Sequence, residues 1–187
     1  MTDRQLIQQL INKQPDAFAV LVNQYKNRIY NTVLGFVQNF EDTEDLTQDV
    51  FIKVFENIGQ FKGDADLGTW IYRIAVTQSV DFIRKNNRKK RAATVLSWLG
   101  FEKDINHPQE FNHPGVVAEN KEQAAILFKA IAQLPENQKS AFVLQKVEGL
   151  SVQQIAAIMK STQSAVESLL SRARANLQKI LQQYYTV

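Results

Sequence analysis

Apolar residues return at helical spacing along nearly all of this sequence, and the one place where they stop divides it in two. Pro15-Asp16 opens a helix whose apolar stripe runs Phe18, Leu21, Val22, Tyr25, Ile29, Val33 and Val37. A second helix is expected from near Asp42, keeping Leu46, Val50, Val54 and Ile58 on one side and ending at Gly59. Its early acids suit the positive end of the helix dipole. Gly63 and Gly68 bracket a short loop, and a third helix follows from about Thr69 to Asn87. The rhythm then fails across residues 93–120, which hold Pro108, Pro114, Gly115 and both histidines, His107 and His113. A segment of that length is a flexible linker rather than a loop inside one domain, although residues 95–101 are apolar enough to dock on something. From Lys121 the rhythm returns in four pieces, about 121–133, 136–147, 151–159 and 163–183, parted by Pro135 and Gly149. Ser151 with Gln154, and Ser164 with Glu167, have capping-box spacing. The expected fold is all-α: a helical domain over 1–92, the linker over 93–120, and a four-helix domain over 121–187 ending in a helix-turn-helix.

Several function classes drop out. There is no cysteine, hence no disulfide framework, thiolate metal site or thiol nucleophile. No apolar run approaches the roughly 18 residues that span a bilayer, and the polar start does not resemble a signal peptide. With 44% apolar residues to build cores, a soluble cytoplasmic protein without membrane insertion of its own is expected. The histidines have no partner set for a triad or a metal, and no Gly-rich phosphate loop follows a strand. We therefore expect no catalytic residue, no metal and no cofactor.

Charge is sorted more sharply than the net of +3 implies. Residues 41–49 hold five acids, and residues 84–91 hold six bases, so one surface suits nucleic acid and another something basic. On the last helix, at about 100° per residue, Val166, Leu169, Leu170, Ala173, Leu177 and Leu181 share an apolar arc. Ser164, Ser168, Ser171, Arg172 and Lys179 lie opposite, with Glu167 on the flank. Hydroxyls and a bidentate arginine are what a recognition helix brings to a major groove, although the solvent side of an ordinary hairpin would look similar. On the third helix Trp70, Arg73, Thr77, Arg84 and Arg88 fall on one stripe beside the loop Phe61-Lys62-Gly63-Asp64-Ala65-Asp66. Aromatics interleaved with bases suit single-stranded DNA, and a Gly-containing loop can receive a flipped base. Tyr72 reads instead as core. The acids Glu41, Asp42, Glu44, Asp45 and Asp49 admit three readings: Asp45 and Asp49 as metal ligands or paired carboxylates, a solvated face, or a docking face for a basic helix.

DTEDLTQDVFIKVF (42–55) followed by FKGDADLGTWIYRIAVTQSVDFIRKNNRKKR (61–91) resembles the second conserved region of bacterial RNA polymerase sigma factors. LPENQKSAFVLQKVEGLSVQQIAAIMKSTQSAVESLLSRARANLQ (134–178) resembles their fourth, and the lack of a third domain is similar to the extracytoplasmic-function (ECF, group IV) class. The resemblance implies that Asp42, Glu44, Asp45, Gln48 and Asp49 dock on the polymerase clamp's coiled coil, with the flap as a second contact. It implies that Phe61, Lys62, Gly63, Asp64, Trp70, Arg73, Thr77, Arg84, Lys85 and Arg88 read and melt the −10 element. Ser151, Ser164, Glu167, Ser168, Ser171 and Arg172 would meet the −35 element. The linker, with one base against four acids, would thread through polymerase and mimic nucleic acid there. An anti-sigma factor is a further implied partner. Leu67 stands where relatives often have an aromatic and Thr77 where they have Asn, while Glu167 and Leu169 replace common bases. Promoter sequence therefore does not carry over. The rival reading is a stand-alone helix-turn-helix regulator, which leaves the acidic helix and aromatic loop without a task. A nuclease using Asp45 and Asp49 is a more distant one.

Overall fold

The structure, a computed structural model, describes residues 3–98 and 121–185, and there it consists of eight α-helices and one 3₁₀ turn. The sequence rhythm gives no warning of α1 (Asp3–Ile11), which is short and buries only Leu6 and Leu10 firmly. A left-handed Lys13 (φ 54°) turns the chain into α2 (Pro15–Val37). Pro15 sits in its first turn, where the missing N–H has no helical partner to lose. α3 (Phe40–Asn57) begins earlier than the expected Asp42, because the Asn39 side chain accepts the Asp42 N–H at 2.8 Å and caps the helix there.

The 3₁₀ turn Ile58–Gln60 leads to the 61–66 loop. Asp66 then caps α4 (Leu67–Trp98), accepting the Thr69 N–H at 2.8 Å and the Thr69 hydroxyl at 2.7 Å. Burial pushes the Asp66 carboxyl up, but the Thr69 bonds and backbone donors together hold it below its ordinary value. Gly68, expected to close the loop, therefore lies inside the first turn of α4. The helix also runs past its expected end near Asn87 to Trp98, into the stretch read as linker. The two histidines, and the side chains of residues 95–101 that any docking would use, lie outside what the structure describes.

α5 (Lys121–Ala132), α6 (Glu136–Lys146), α7 (Val152–Met159) and α8 (Gln163–Tyr185) fall where four pieces were expected. The Ser151–Gln154 capping box is present, with Ser151 Oγ accepting the Gln154 N–H at 3.2 Å and Gln154 Oε1 accepting the Ser151 N–H at 2.9 Å. The Ser164–Glu167 box is not. Thr162 caps α8 instead, accepting the Ala165 N–H at 3.2 Å, which moves Ser164 into the helix. Lys139 is buried on α6 and donates to the Ala132 carbonyl at 2.9 Å, closing the end of α5. Burial lowers the pKa of its amine.

The two blocks do not stand apart. α2 packs on α3 and α4 but also on α6, and α4 packs on α7. One apolar cluster joins Leu21, Ile29 and Ile71 of the first block to Leu144, Ile155 and Val166 of the second. Another joins Phe36 and Val80 to Val143, Ala173 and Leu177. Gly35, inside α2, marks the closest approach: a Cβ there would lie 2.8 Å from Val143 Cγ1 and 3.3 Å from Cγ2. A glycine in a helix interior costs roughly 0.5–1 kcal/mol against alanine, and at position 35 what it provides is this approach.

Candidate nucleic-acid interface

On α3 the core side is Leu46, Val50 and Val54, which leaves Glu41, Glu44, Asp45, Gln48 and Asp49 exposed and Asp42 half-buried at the capped end. Helical spacing puts Asp45, Gln48, Asp49 and Ile52 on one outer face. Ile52 was not singled out from sequence, yet it is 52% exposed, an apolar side chain standing among acids. A single bare apolar side chain is common on protein surfaces, so it is the run of acids around Ile52 that distinguishes this face. The signal was readable, because Ile52 falls off the Leu46–Val50–Val54 stripe.

The loop after the 3₁₀ turn is held by Phe61 packing edge-on to Trp70, with centroids 5.5 Å apart and planes at 61°. Gly63 takes φ 77°, a left-handed conformation that favours glycine, and Lys62, Gly63 and Asp64 stand in solvent. Thr77, Lys85 and Arg88 are also exposed along α4. Arg73 and Arg84 are each engaged within the chain. Arg73 donates to the Ala157 carbonyl from Nε at 3.1 Å and from Nη2 at 2.6 Å. Arg84 forks onto Glu136, Nε to Oε2 at 2.9 Å and Nη2 to Oε1 at 2.7 Å. A cleft of about 730 Å³ runs between Phe61, Trp70 and Thr77 on one wall and Glu136, Met159 and Lys160 on the other.

Tyr72 is buried, as expected of a core residue, and its hydroxyl donates to Glu148 Oε2 at 2.7 Å. The Glu148 side chain is 3% exposed, lies 3.5 Å from Arg28 Nε, and faces Thr32 as well. Burial raises the Glu148 carboxyl above its ordinary value of 4.5 and outweighs the opposing pull of Tyr72 and Arg28. Burial likewise pushes the Tyr72 hydroxyl up, helped by Glu148. A carboxyl raised by folding favours the folded state fully below its unfolded pKa and loses that contribution as pH rises through the folded one. Thermal midpoints of the native chain and of Glu148→Gln should therefore converge toward pH 4.5 and separate above it, with the variant gaining. An identical pH slope in both proteins would show that Glu148 carries no such linkage. Asp66, held low, acts in the opposite sense in both proteins and cancels in the difference.

On α8, Val166, Leu170, Ala173 and Leu177 are buried and Leu169 and Leu181 half-buried, while Ser164, Glu167, Ser168, Ser171 and Arg172 are exposed, as the helical arc requires. Arg172 Nε rests on the Ser168 carbonyl at 3.2 Å, a weak contact that a ligand can replace. Ser151 is exposed too, but its hydroxyl is engaged in capping α7. Lys160, Thr162 and Gln163, at the turn and the start of α8, are exposed beside these residues and were not singled out. They became readable once Thr162 marked the helix start. Among the described residues no group of three His, Cys, Asp or Glu could hold a metal, and no helix is long and apolar enough to cross a membrane.

An acidic outer face, an aromatic-basic helix and a helix-turn-helix occur in that order in one all-α chain, and comparison with known proteins gives the same order. Residues 21–89 match sigma-70 region 2, and residues 124–177 match sigma-70 region 4. The RNA polymerase sigma-H factor of Pseudomonas aeruginosa is 31% identical over 181 residues, 96% of this chain and 94% of that one. The ECF RNA polymerase sigma-E factor of Escherichia coli is 31% identical over 176 residues, 93% of this chain and 91% of its own. The chain belongs to the ECF sigma factors of bacterial RNA polymerase. Among solved structures, CnrH in complex with the cytosolic domain of CnrY shares the fold with a TM-score of 0.68 at 23% identity, covering 97% of both chains. The sigma factor RpoE of Bartonella quintana, in complex with the anti-sigma factor NepR, gives 0.61 at 21%, covering 88% of this chain and 96% of that one.

Proposed function

We propose that this chain binds core RNA polymerase and directs it to promoters through three surfaces, with residues 1–92 and 121–187 as its two working domains. The observation that carries this is the match to sigma factors along nearly the whole chain, with regions 2 and 4 in order. A stand-alone regulator would need only the second. The face bearing Asp42, Glu44, Asp45, Gln48 and Asp49 docks on the clamp's coiled coil, with Ile52 as an apolar anchor, and the C-terminal domain meets the flap. Phe61, Lys62, Gly63, Asp64, Trp70, Arg73, Thr77, Arg84, Lys85 and Arg88 hold the opened −10 strand. Base stacking on an aromatic is worth roughly 1–3 kcal/mol, which offsets much of the few kcal/mol that unpairing a base costs. Ser151, Ser164, Glu167, Ser168, Ser171 and Arg172 meet the −35 duplex. Each contact alone is weak and salt-sensitive, and joining them on one polymerase raises their effective concentration. The chain makes and breaks no bond itself, and it acts in the cytoplasm, where polymerase is. An anti-sigma protein is a further partner, to be dropped if pull-downs from native cells return polymerase alone under every growth condition.

Run-off transcription of a genomic fragment library by core polymerase, with and without the protein, tests the reading and gives the recognised elements by alignment of the start regions. No dependent transcript, and no co-elution with core polymerase, would defeat it. On the promoters so found, Arg172→Ala should weaken the upstream contact by about 1–3 kcal/mol. An equal loss on DNA lacking the element would remove Arg172 from base reading.

A further inference from the structure

One acid stands on the outer face of α8 with nothing in the chain to pair it. Glu167 is exposed, and the residues three and four positions away on either side are Gln163, Ser164, Leu170 and Ser171. None is a cation, so the helix offers no partner at the spacings where charge pairs form. The arginines further along are used elsewhere. Arg172 Nε donates to the Ser168 carbonyl at 3.2 Å, and Arg174 Nη2 donates to Gln145 Oε1 on α6 at 3.1 Å. Among the described residues Glu167 forms no ion pair and no side-chain hydrogen bond. The helix dipole does not account for the acid either, since Glu167 is the fifth residue of α8 and the dipole acts within the first turn.

Its neighbours also leave it standing clear. Ser164, Ser168 and Ser171 surround it on the helix surface and are exposed, but each ends at a hydroxyl close to the backbone. Glu167 carries its carboxylate beyond them. A helix with its side chains is about 10–12 Å across and the major groove about 12 Å wide, so a helix seated there brings its longer side chains onto base edges. Contacts to bases come from the N-terminal part of such a helix. Thr162 fixes where α8 begins, by accepting the Ala165 N–H at 3.2 Å, and so puts Glu167 in that part. A carboxylate only accepts hydrogen bonds. Guanine and thymine show it acceptors in the major groove, at O6 and N7 and at O4. Adenine sets its N6 donor beside the N7 acceptor, a pair that suits an amide. Cytosine offers the N4 donor alone.

We propose that Glu167 reads a cytosine in the upstream duplex by accepting its N4–H, and that this one residue decides which base stands at one position of the element. The proposal rests on the reading that α8 meets the −35 duplex, and it goes further by giving one side chain one base. An acid brought up to the polyanionic duplex is repelled on every sequence, and only a base donor offsets that repulsion. Glu167 therefore acts more by rejecting the wrong bases than by adding affinity for the right one. The other exposed groups of this face, the serine hydroxyls, both donate and accept and so tolerate any base. Selectivity on this part of α8 is thus concentrated in the acid.

The test uses the full chain on core polymerase, at promoters found by run-off transcription. Each base pair of the upstream element is changed in turn to the other three, and transcription is measured with the native chain, Glu167→Ala and Glu167→Gln. With the native chain, replacing the cytosine of one G·C pair should cost about tenfold. Glu167→Ala should bring the four bases at that position within about threefold of one another and keep the native preference at every other position. Glu167→Gln should lose the preference for cytosine there and favour adenine. Glu167 is exposed, so both variants should keep the native thermal midpoint. If Glu167→Ala does not fold, the isosteric Glu167→Gln decides. An upstream element without a G·C pair overturns the proposal, and so does a cytosine preference that survives both variants. A uniform gain on every sequence also overturns it, because Glu167 would then only repel phosphate. The −35 reading fails separately. Native transcription unchanged by scrambling the whole upstream element defeats both, whereas strong dependence on the element with no position answering to Glu167 defeats this proposal alone.

Discussion

Exchanging Asp45 and Asp49 together for lysine should reduce affinity for core polymerase by at least about a hundredfold, some 2.7 kcal/mol, while leaving the fold untouched. Both carboxylates stand exposed one helical turn apart, on the side of α3 away from Leu46, Val50 and Val54. The exchange therefore removes no packing. It does place a lysine one turn from Lys53, which Asp49 at present favours, a small local repulsion on an exposed face. Against this, close charge pairs across docked protein interfaces couple by roughly 1.5–7 kcal/mol, and two reversals set like charge against a basic partner. Interface loss thus exceeds helix loss severalfold. Co-elution and competition binding read the first, and far-ultraviolet circular dichroism with a thermal midpoint reads the second. Affinity within threefold of the native chain would return this face to solvent. A melted α3 would instead mean that the acids stabilise the helix far more than their exposure implies.

Ile71→Ala should cost the protein about 2–5 kcal/mol of stability and lower its thermal midpoint by roughly 10 °C. Ile71 is fully buried, and it lies between Trp70 and Tyr72 on the helix that carries the proposed −10 residues. Its cluster takes in Leu21 and Ile29 from α2 as well as Leu144 and Ile155 from the second block. Truncation there opens a void that a rigid, two-sided packing cannot fill by collapse, so the cost belongs toward the upper part of the range. Because the cluster joins the two blocks, both halves should melt in one transition, and the variant should keep that single transition at lower temperature. A loss under 1 kcal/mol in denaturant titration, or two resolved transitions in the native chain, would contradict the shared core.

What the sequence disclosed follows from how far each determinant reaches. Helix existence depends on a rhythm only a few residues long, so α2, α3 and the four C-terminal helices could be read directly. Helix ends depend on single side chains. Asn39 and Asp66 shifted two starts, and Thr162 rather than Ser164 fixed the third. α1 went unread because so short a helix leaves little rhythm to find. The outer face of α8 was legible, since Ser164, Ser168 and Arg172 need only the turn angle. The engagement of Arg73 was not, because its partner carbonyl lies 84 residues away and has no side-chain signature at all. Glu136 and Glu148 were not singled out from the sequence, for the same reason. Gly35 was the one overlooked hint of the joint: an isolated glycine inside a helical pattern, away from either end, usually has a packing reason.

Position 35 also has a genetic meaning. Every glycine codon becomes an alanine or a valine codon by a single change at its middle base, and either residue brings a Cβ up against Val143. A joint drawn together by the absence of a side chain therefore stands one point mutation from being pushed apart at its closest point.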